Sequence, residues 1–383
     1  MRNALIGSIA VLFVGLVTLS ARADMKSLPE DSNHYFLQAP SDTVWIRVGD
    51  YSGSFAVSSA DSIDYINLPG DVDIILYSGS DTIFVKFSNP PPVVQLDSPK
   101  KRVFATVTYP SLKYRNLRKF DKFGSTATGG IEQFYYSNDH DSNLVKLRLM
   151  YNLDSVAGHG NEMDRIIRLL NWSHNIVRHD GSGNPAKPDP RNAINIIEVA
   201  SKENKGVNCR MLATILNEVY LAMGFKSRHL TCMPMDTNDP DCHVVNMVYV
   251  NTLGKWVFID PTNSAYFKDA EGTFLSPAEI RAKMVSGEEL ILNDDINWNG
   301  QPKDKNEYKQ YIAKNLFRFF CPIGSEFGYE SKTGKRAWIH LNPSGYDSER
   351  IGLADTTWNE DKKEIKYIDY FTDNADFFWA KPQ

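Results

Sequence analysis

The stretch Asn208-Cys209-Arg210-Met211-Leu212-Ala213-Thr214-Ile215-Leu216-Asn217-Glu218-Val219-Tyr220-Leu221-Ala222-Met223-Gly224 reads as one helix. Leu212, Ile215, Leu216, Val219 and then Ala222 or Met223 recur at steps of three and four, which lays a single apolar stripe along it. Asn208 offers a side-chain oxygen for the N-cap, and Gly224 is a suitable stop. Immediately downstream the apolar period drops to two. The runs 228–233, 244–250 and 256–259 then predict three antiparallel strands, the second and third joined by Asn251-Thr252-Leu253-Gly254-Lys255. A helix followed by an antiparallel sheet places the chain in the α+β class.

Upstream, Met163, Ile166, Ile167, Leu170 and Val177 share one helical stripe, with Asn161 as N-cap and Asp164 in the first turn. A breaker segment covers 181–190. Asp189-Pro190 then predicts the start of a second helix carrying Ile194, Ile197 and Ala200, because proline at the first helical position gives up no useful donor. Between 43 and 110 the chain is a series of short β runs: 44–48, 72–77, 82–87 and 103–109. Gly, Pro, Asp and Ser clusters separate them, including Pro90-Pro91-Pro92. This spacing predicts a small β-sandwich or β-rich accessory region, and turn-rich patches at 124–130 and 137–142 offer boundaries. Beyond the central strands, Ser276-Pro277-Ala278-Glu279 is a capping box opening a helix, 306–320 reads as another helix, and 337–341 as a strand. The aromatic tail 367–379 reads as packing residues, a glycan-stacking platform being the sharper alternative. The expected organisation is a signal peptide over 1–23, a β-rich accessory region over 24–150, a core of helices packed on an antiparallel sheet over 151–295, and an α+β extension over 296–383.

Of 383 residues, 42% are hydrophobic and 23% charged, which excludes wholesale disorder. The net charge of -5 and the lack of a long basic run argue against nucleic acid as a partner. Met1-Arg2-Asn3 followed by a near-continuous apolar run over 4–19 and Ala21-Arg22-Ala23 reads as a secretory signal peptide. The run falls short of the ~20 residues a spanning helix needs, so a soluble, exported protein is expected, periplasmic or secreted, with no membrane span once the signal is removed. Four cysteines, Cys209, Cys232, Cys242 and Cys321, are too few for a disulfide scaffold. Cys232 and Cys242 flank a short polar segment and either pair or stay free. With no CxxC pair a structural zinc site is not expected, and no metal or other cofactor is expected.

Cys209 falls in the first turn of its helix, where unpaired backbone N–H groups and the positive end of the helix dipole favour a thiolate and stabilise an oxyanion on a substrate attacked by the sulfur. A thiol nucleophile needs a base and a group that orients the base. His243 opens one strand and Asp260 closes the next, so their hairpin brings both to one end of the sheet. Singly, each has an ordinary explanation: a polar edge residue, a turn former before Pro261, an inert thiol. Their joint order is what points to a triad.

Gly206-Val207-Asn208-Cys209-Arg210, Lys226-Ser227-Arg228, His243-Val244-Val245-Asn246 and Lys255-Trp256-Val257-Phe258-Ile259-Asp260-Pro261-Thr262 resemble the transglutaminase-like superfamily over 161–267. The general layout resembles uncharacterised exported members from Bacteroidetes. The resemblance implies a papain-like core and a Cys-His-Asp triad of Cys209, His243 and Asp260. Two departures are visible: glycine stands three residues before the cysteine instead of two, and Met247 takes the place of a glutamate often found on the His strand. Cross-linking members support the oxyanion with an upstream tryptophan. Trp172 lies at that distance, inside a helix where core packing is the favoured reading, with His174 and Asn175 after it as weaker candidates. The acidic loop Asp236, Asp239, Asp241 hints at the calcium of some animal relatives, but reads better as a solvated hairpin loop. The expected activity is that of a cysteine protease, amidase or acyltransferase on a peptide, protein or glycopeptide substrate, with hydrolysis favoured over cross-linking. The alternatives are a non-catalytic module of the same fold binding peptide or glycan, and a glycan-active protein with an incidental thiol.

Overall fold

The computed structural model describes residues 34–48, 51–59, 62–64, 74–85, 92–108, 111–181, 183–358 and 365–383. The expected signal peptide, the strand ends at 72–73, 86–87 and 109, and Pro90-Pro91 lie outside these. Two compact units divide the chain, Met1–Lys113 and Tyr114–Gln383. The first is β-rich. One four-stranded sheet takes the order His34–Gln38, Val93–Asp97, Arg102–Thr108, Ser62–Asp64, and the other Tyr51–Ala56, Thr43–Val48, Ile74–Ser78, Asp81–Val85. Alternation supplies the core: Val44, Ile74, Leu76, Val94, Leu96, Val103 and Ala105 form one buried cluster, while Trp45 and Phe84 stay exposed.

The second unit is built on one seven-stranded sheet. Its order is Lys255–Ile259, His243–Val250, Ser227–Met233, Arg318–Pro322, Gly334–Leu341, Ile365–Thr372, Ala354–Trp358. All neighbours are antiparallel except Gly334–Leu341 and Ile365–Thr372, which run parallel. Thus the segment after 296 supplies four strands to the sheet that carries His243. The alternation of side chains splits the sheet between two cores. Val245, Met247, Trp256, Phe258, Leu230 and Phe319 join one cluster, and Val248, Val250, Val257 and Ile259 join the helical one.

Against this second face packs the helix Cys209–Ala222. Leu212, Ile215, Leu216 and Val219 are at most 1% exposed, and each contributes about 1.5–3 kcal/mol by leaving water. Leu144 and Leu147 of the helix Ser142–Met150, Ile166 and Leu170 of Glu162–Ile176, and Ile196 and Ile197 of Ala193–Glu203 complete the layer. Asn161, Asn208 and Ser276 cap their helices as expected, the first and last through full capping boxes.

Two expectations need correction. The second helix starts at Ala193, not at Pro190, because the Asn192 side chain takes the N-cap and accepts the Asn195 N–H at 3.0 Å. The helix expected over 306–320 ends at Asn315, and Arg318–Pro322 is a strand. There Phe319 and Cys321 alternate into the core while Phe320 pairs with Thr231 on the opposite face, so sheet pairing overrides helical propensity.

Candidate active site

Asn208 accepts the Met211 N–H at 3.0 Å, so Cys209 sits in the first turn of its helix with its own N–H outside the intrahelical ladder. The His243 strand is tied to that helix by Asn246, whose amide donates to the Ala213 carbonyl at 2.9 Å. On the neighbouring strand Asn246 pairs with Ile259, which sets the following residue, Asp260, near the His243 end of the hairpin. The His243 Nε2 then meets Asp260 Oδ2 at 2.7 Å. The Cys209 thiol hydrogen-bonds the same ring. With Nε2 engaged by the carboxylate, Nδ1 is the nitrogen left for the sulfur.

Asp260 is wholly buried, and its charge is held by convergent donors. Oδ2 also accepts the Tyr308 hydroxyl at 2.7 Å and the Asn263 amide at 2.9 Å, and Oδ1 accepts the Thr262 N–H at 2.8 Å. Burial pushes this carboxyl up. The His243 charge and hydrogen bond, with Tyr308 and Asn263, outweigh it and bring the pKa down to about 2. For His243, burial works against the imidazolium, but the Asp260 charge and hydrogen bond and the Cys209 contact raise it to about 10. At Cys209 burial likewise opposes the thiolate. Hydrogen bonds from His179 and His243, the His243 charge and the Val244 backbone N–H overcome it, and the thiol comes down to about 6. The Tyr311 ring meets the His243 ring edge to face at 5.3 Å. The arrangement therefore favours a thiolate beside an imidazolium that is held from behind by a carboxylate.

Sequence reasoning missed His179. Residues 178–180 run alongside Val207: the Asp180 N–H reaches the Val207 carbonyl at 2.8 Å, and the Val207 N–H reaches the Arg178 carbonyl at 3.0 Å. This sets His179 beside Cys209. Gly206 permits the approach, since a Cβ there would lie 2.7 Å from the Asp180 Cβ and 2.9 Å from the Arg178 carbonyl. The glycine three residues before the cysteine thus has a local reason. The Trp298 indole, a donor only, gives its N–H to His179 Nδ1 at 2.9 Å. The neutral ring accordingly carries its proton on Nε2, which can donate to the sulfur. Trp298 belongs to a hairpin, Asn297–Trp298 with Gln301–Pro302, turned by Asn299 and Gly300 at φ 52° and 78°. His174 braces that hairpin, with Nδ1 on the Pro261 carbonyl at 2.8 Å and Nε2 on Asn297 Oδ1 at 2.7 Å. The Asn-Gly pair was the only local signal, and it announced a turn without a destination.

Trp172 packs edge to face on Tyr151 at 5.3 Å among the core helices. The indole joined through His179 to Cys209 is that of Trp298. Asn175 bonds the Asn171 carbonyl of its own helix. All four cysteines are free, so Cys232 and Cys242 do not pair. In the acidic loop Asp239 and Asp241 share the Lys314 ammonium, at 3.0 and 2.6 Å.

Residues 150–261 match the Transglutaminase-like superfamily, so Cys209, His243 and Asp260 all lie within a transglutaminase-like domain. No curated protein matches the chain. Among solved structures, the chain is similar to a protein of Cytophaga hutchinsonii provisionally described as a cysteine protease. The two are 14% identical, the match covers 70% of this chain and 91% of that one, and the TM-score is 0.25. It is also similar to red sea bream transglutaminase, at 10% identity, 58% and 45% coverage and a TM-score of 0.24.

Proposed function

We propose, from the transglutaminase-like domain at 150–261, that this chain is an exported thiol enzyme acting on peptide or carboxamide bonds, and that it hydrolyses them in preference to cross-linking. The Cys209 sulfur attacks the carbonyl carbon, and the oxyanion that forms is met by the Cys209 backbone N–H and the His179 Nε2–H. His243, held by Asp260, passes its Nδ1 proton to the leaving amine, and the C–N bond breaks to leave a thioester on Cys209. A water, deprotonated by His243, attacks the thioester and releases a carboxylic acid and the thiolate. No cofactor takes part. The reading of export rests on residues 1–23.

One observation carries the proposal: a first-turn cysteine hydrogen-bonded to an imidazole whose other nitrogen is 2.7 Å from a buried carboxylate. The test uses the full chain with a panel of N-acetyl peptide p-nitroanilides and primary amides, with and without glycine methyl ester as an acceptor. Turnover that disappears in Cys209→Ala, and yields mostly acid when the ester is present, is the expected result. Turnover that survives Cys209→Ala sinks the assignment. A thiol that alkylates with the ordinary midpoint near ~8.5 points instead to a non-catalytic module.

A further inference from the structure

Arg210 follows the nucleophile on its helix, and its guanidinium leaves toward the sheet. Nη1 donates to Glu330 Oε1 at 3.0 Å and Nη2 to Thr231 Oγ1 at 3.3 Å, with the group 5.6 Å over the Phe320 ring. Thr231 pairs across the sheet with Val244, whose backbone N–H bonds the Cys209 sulfur. The guanidinium is therefore anchored one strand over from the thiol. Cys242, the neighbour of His243, feels both the Cys209 and the Arg210 charges.

Arg191 reaches the same carboxylate from a different segment, Nη1 lying 3.4 Å from Glu330 Oε2. Burial works against the Glu330 charge, and Arg210 leads the groups that outweigh it, so Glu330 stays ionised. His229 also approaches, its Nε2 3.4 Å from Oε1, yet burial prevails over the carboxylate and holds it neutral, at about 4. Two guanidiniums then face one carboxylate. A single arginine would neutralise Glu330, so the cluster keeps one positive charge in excess. That charge is accessible: 47% of the Arg191 side chain and 24% of the Arg210 side chain are exposed, against 8% for Glu330. Guanidinium groups with unused N–H donors match the two oxygens of a carboxylate.

We propose that Arg191 and Arg210, clasped by Glu330, form an anion subsite next to the thiol's helix and strand that selects substrates bearing a carboxylate close to the reacting carbonyl. Such substrates are acyl donors with an acidic neighbour, or peptides cleaved next to a free C-terminus. This deepens the thiol-enzyme reading and rests on it for the chemistry, while the binding itself needs no sulfur. Phe320 supplies the apolar wall under the guanidinium.

The test takes the full chain as Cys209→Ala and measures binding of acetyl-dialanine as free acid and as carboxamide by calorimetry at low salt. The acid is expected to bind about tenfold tighter, with the acid-to-amide ratio collapsing in Arg191→Gln and restored only in part in Arg191→Lys, which returns the charge without the planar fork. Equal binding of acid and amide, binding of neither, or a ratio indifferent to Arg191→Gln overturns the subsite. A second measurement uses the native thiol at pH 7. The iodoacetate-to-iodoacetamide rate ratio at Cys209 is expected to fall about threefold or more in Arg191→Gln, with His243 present in both proteins. A thiol unreactive to both reagents refutes the nucleophile reading alone, and the acid–amide comparison still decides the subsite. Circular dichroism of each variant separates loss of fold from loss of charge.

Discussion

Burial alone would leave Cys209 an inert thiol. The donors around it decide otherwise, and each makes a measurable contribution. Because the thiol is brought down to about 6, thiolate is present above that pH and lost as pH falls through it. Because His243 is raised to about 10, the imidazolium is present below that pH and lost as pH rises through it. The charged pair therefore occupies a window between about 6 and 10, and the rate of iodoacetamide alkylation is expected to rise with a midpoint near the lower limit. His179→Phe removes the leading donor to the sulfur, and should move that midpoint up by about one pH unit or more. A midpoint unmoved by this change would show that His179 leaves the thiolate alone. Asp260→Asn removes the charge that sustains the imidazolium. It should lower kcat/KM about 10²–10⁴-fold and pull the alkaline limb of the profile down, as read from rates over pH 5–11.

Elements, more than single residues, explain what could be foreseen. The Cys209 helix and the three strands after it were legible because period and caps are local properties; Cys209 and His243 open their elements, and Asp260 directly follows the last strand. His179 was illegible because its place depends on the pairing of 178–180 with Val207, a contact with no periodic signature. The same holds for Arg318–Pro322, whose strand character comes from pairing with Thr231, Cys232 and Met233 far upstream and with the strand Gly334–Leu341 downstream. Gly206→Ala tests the first of these. Its methyl group would meet backbone and Cβ atoms that cannot simply swing aside, so the segment carrying His179 must shift. The expected outcome is a raised alkylation midpoint together with a melting temperature lowered by an amount equivalent to about 1–3 kcal/mol. Glu218 shows a second kind of long-range link, capping Ala193 N–H at 2.7 Å and Gly328 N–H at 2.9 Å from within the Cys209 helix. Burial holds its carboxyl up, at about 8, despite those two donors. Since this folded value exceeds the ordinary 4.5, its contribution to stability is complete below about 4.5 and is lost as pH rises through 8. Glu218→Gln turns one acceptor into a donor facing an N–H, and should cost about 1–3 kcal/mol in urea unfolding at pH 5.

At the scale of the molecule, the buried clusters respect one division of the chain. The cluster of Leu37, Val44, Ile74, Leu76 and Leu96 draws on residues no later than Ala105. The two that flank the seven-stranded sheet begin with Tyr114 and Leu117 and with Leu144. The sheet itself takes strands from 227 to 372, so no cut inside that interval leaves the face that carries Thr231, Val244 and Phe320 intact. Independent folding requires a unit to own its core, and the second unit does. Tyr114 and Leu117 lie on the helix Ser111–Lys119, so the cut must spare that helix. A chain beginning at Ser111 is accordingly expected to melt cooperatively and to alkylate at Cys209 with the same midpoint as the full protein. A chain beginning at Ser142 lacks Tyr114 and Leu117, and should melt several degrees lower. Scanning calorimetry with the alkylation profile checks both. A molten or unreactive product from the Ser111 start would mean that the site draws on the β-rich unit for more than its position in the sequence.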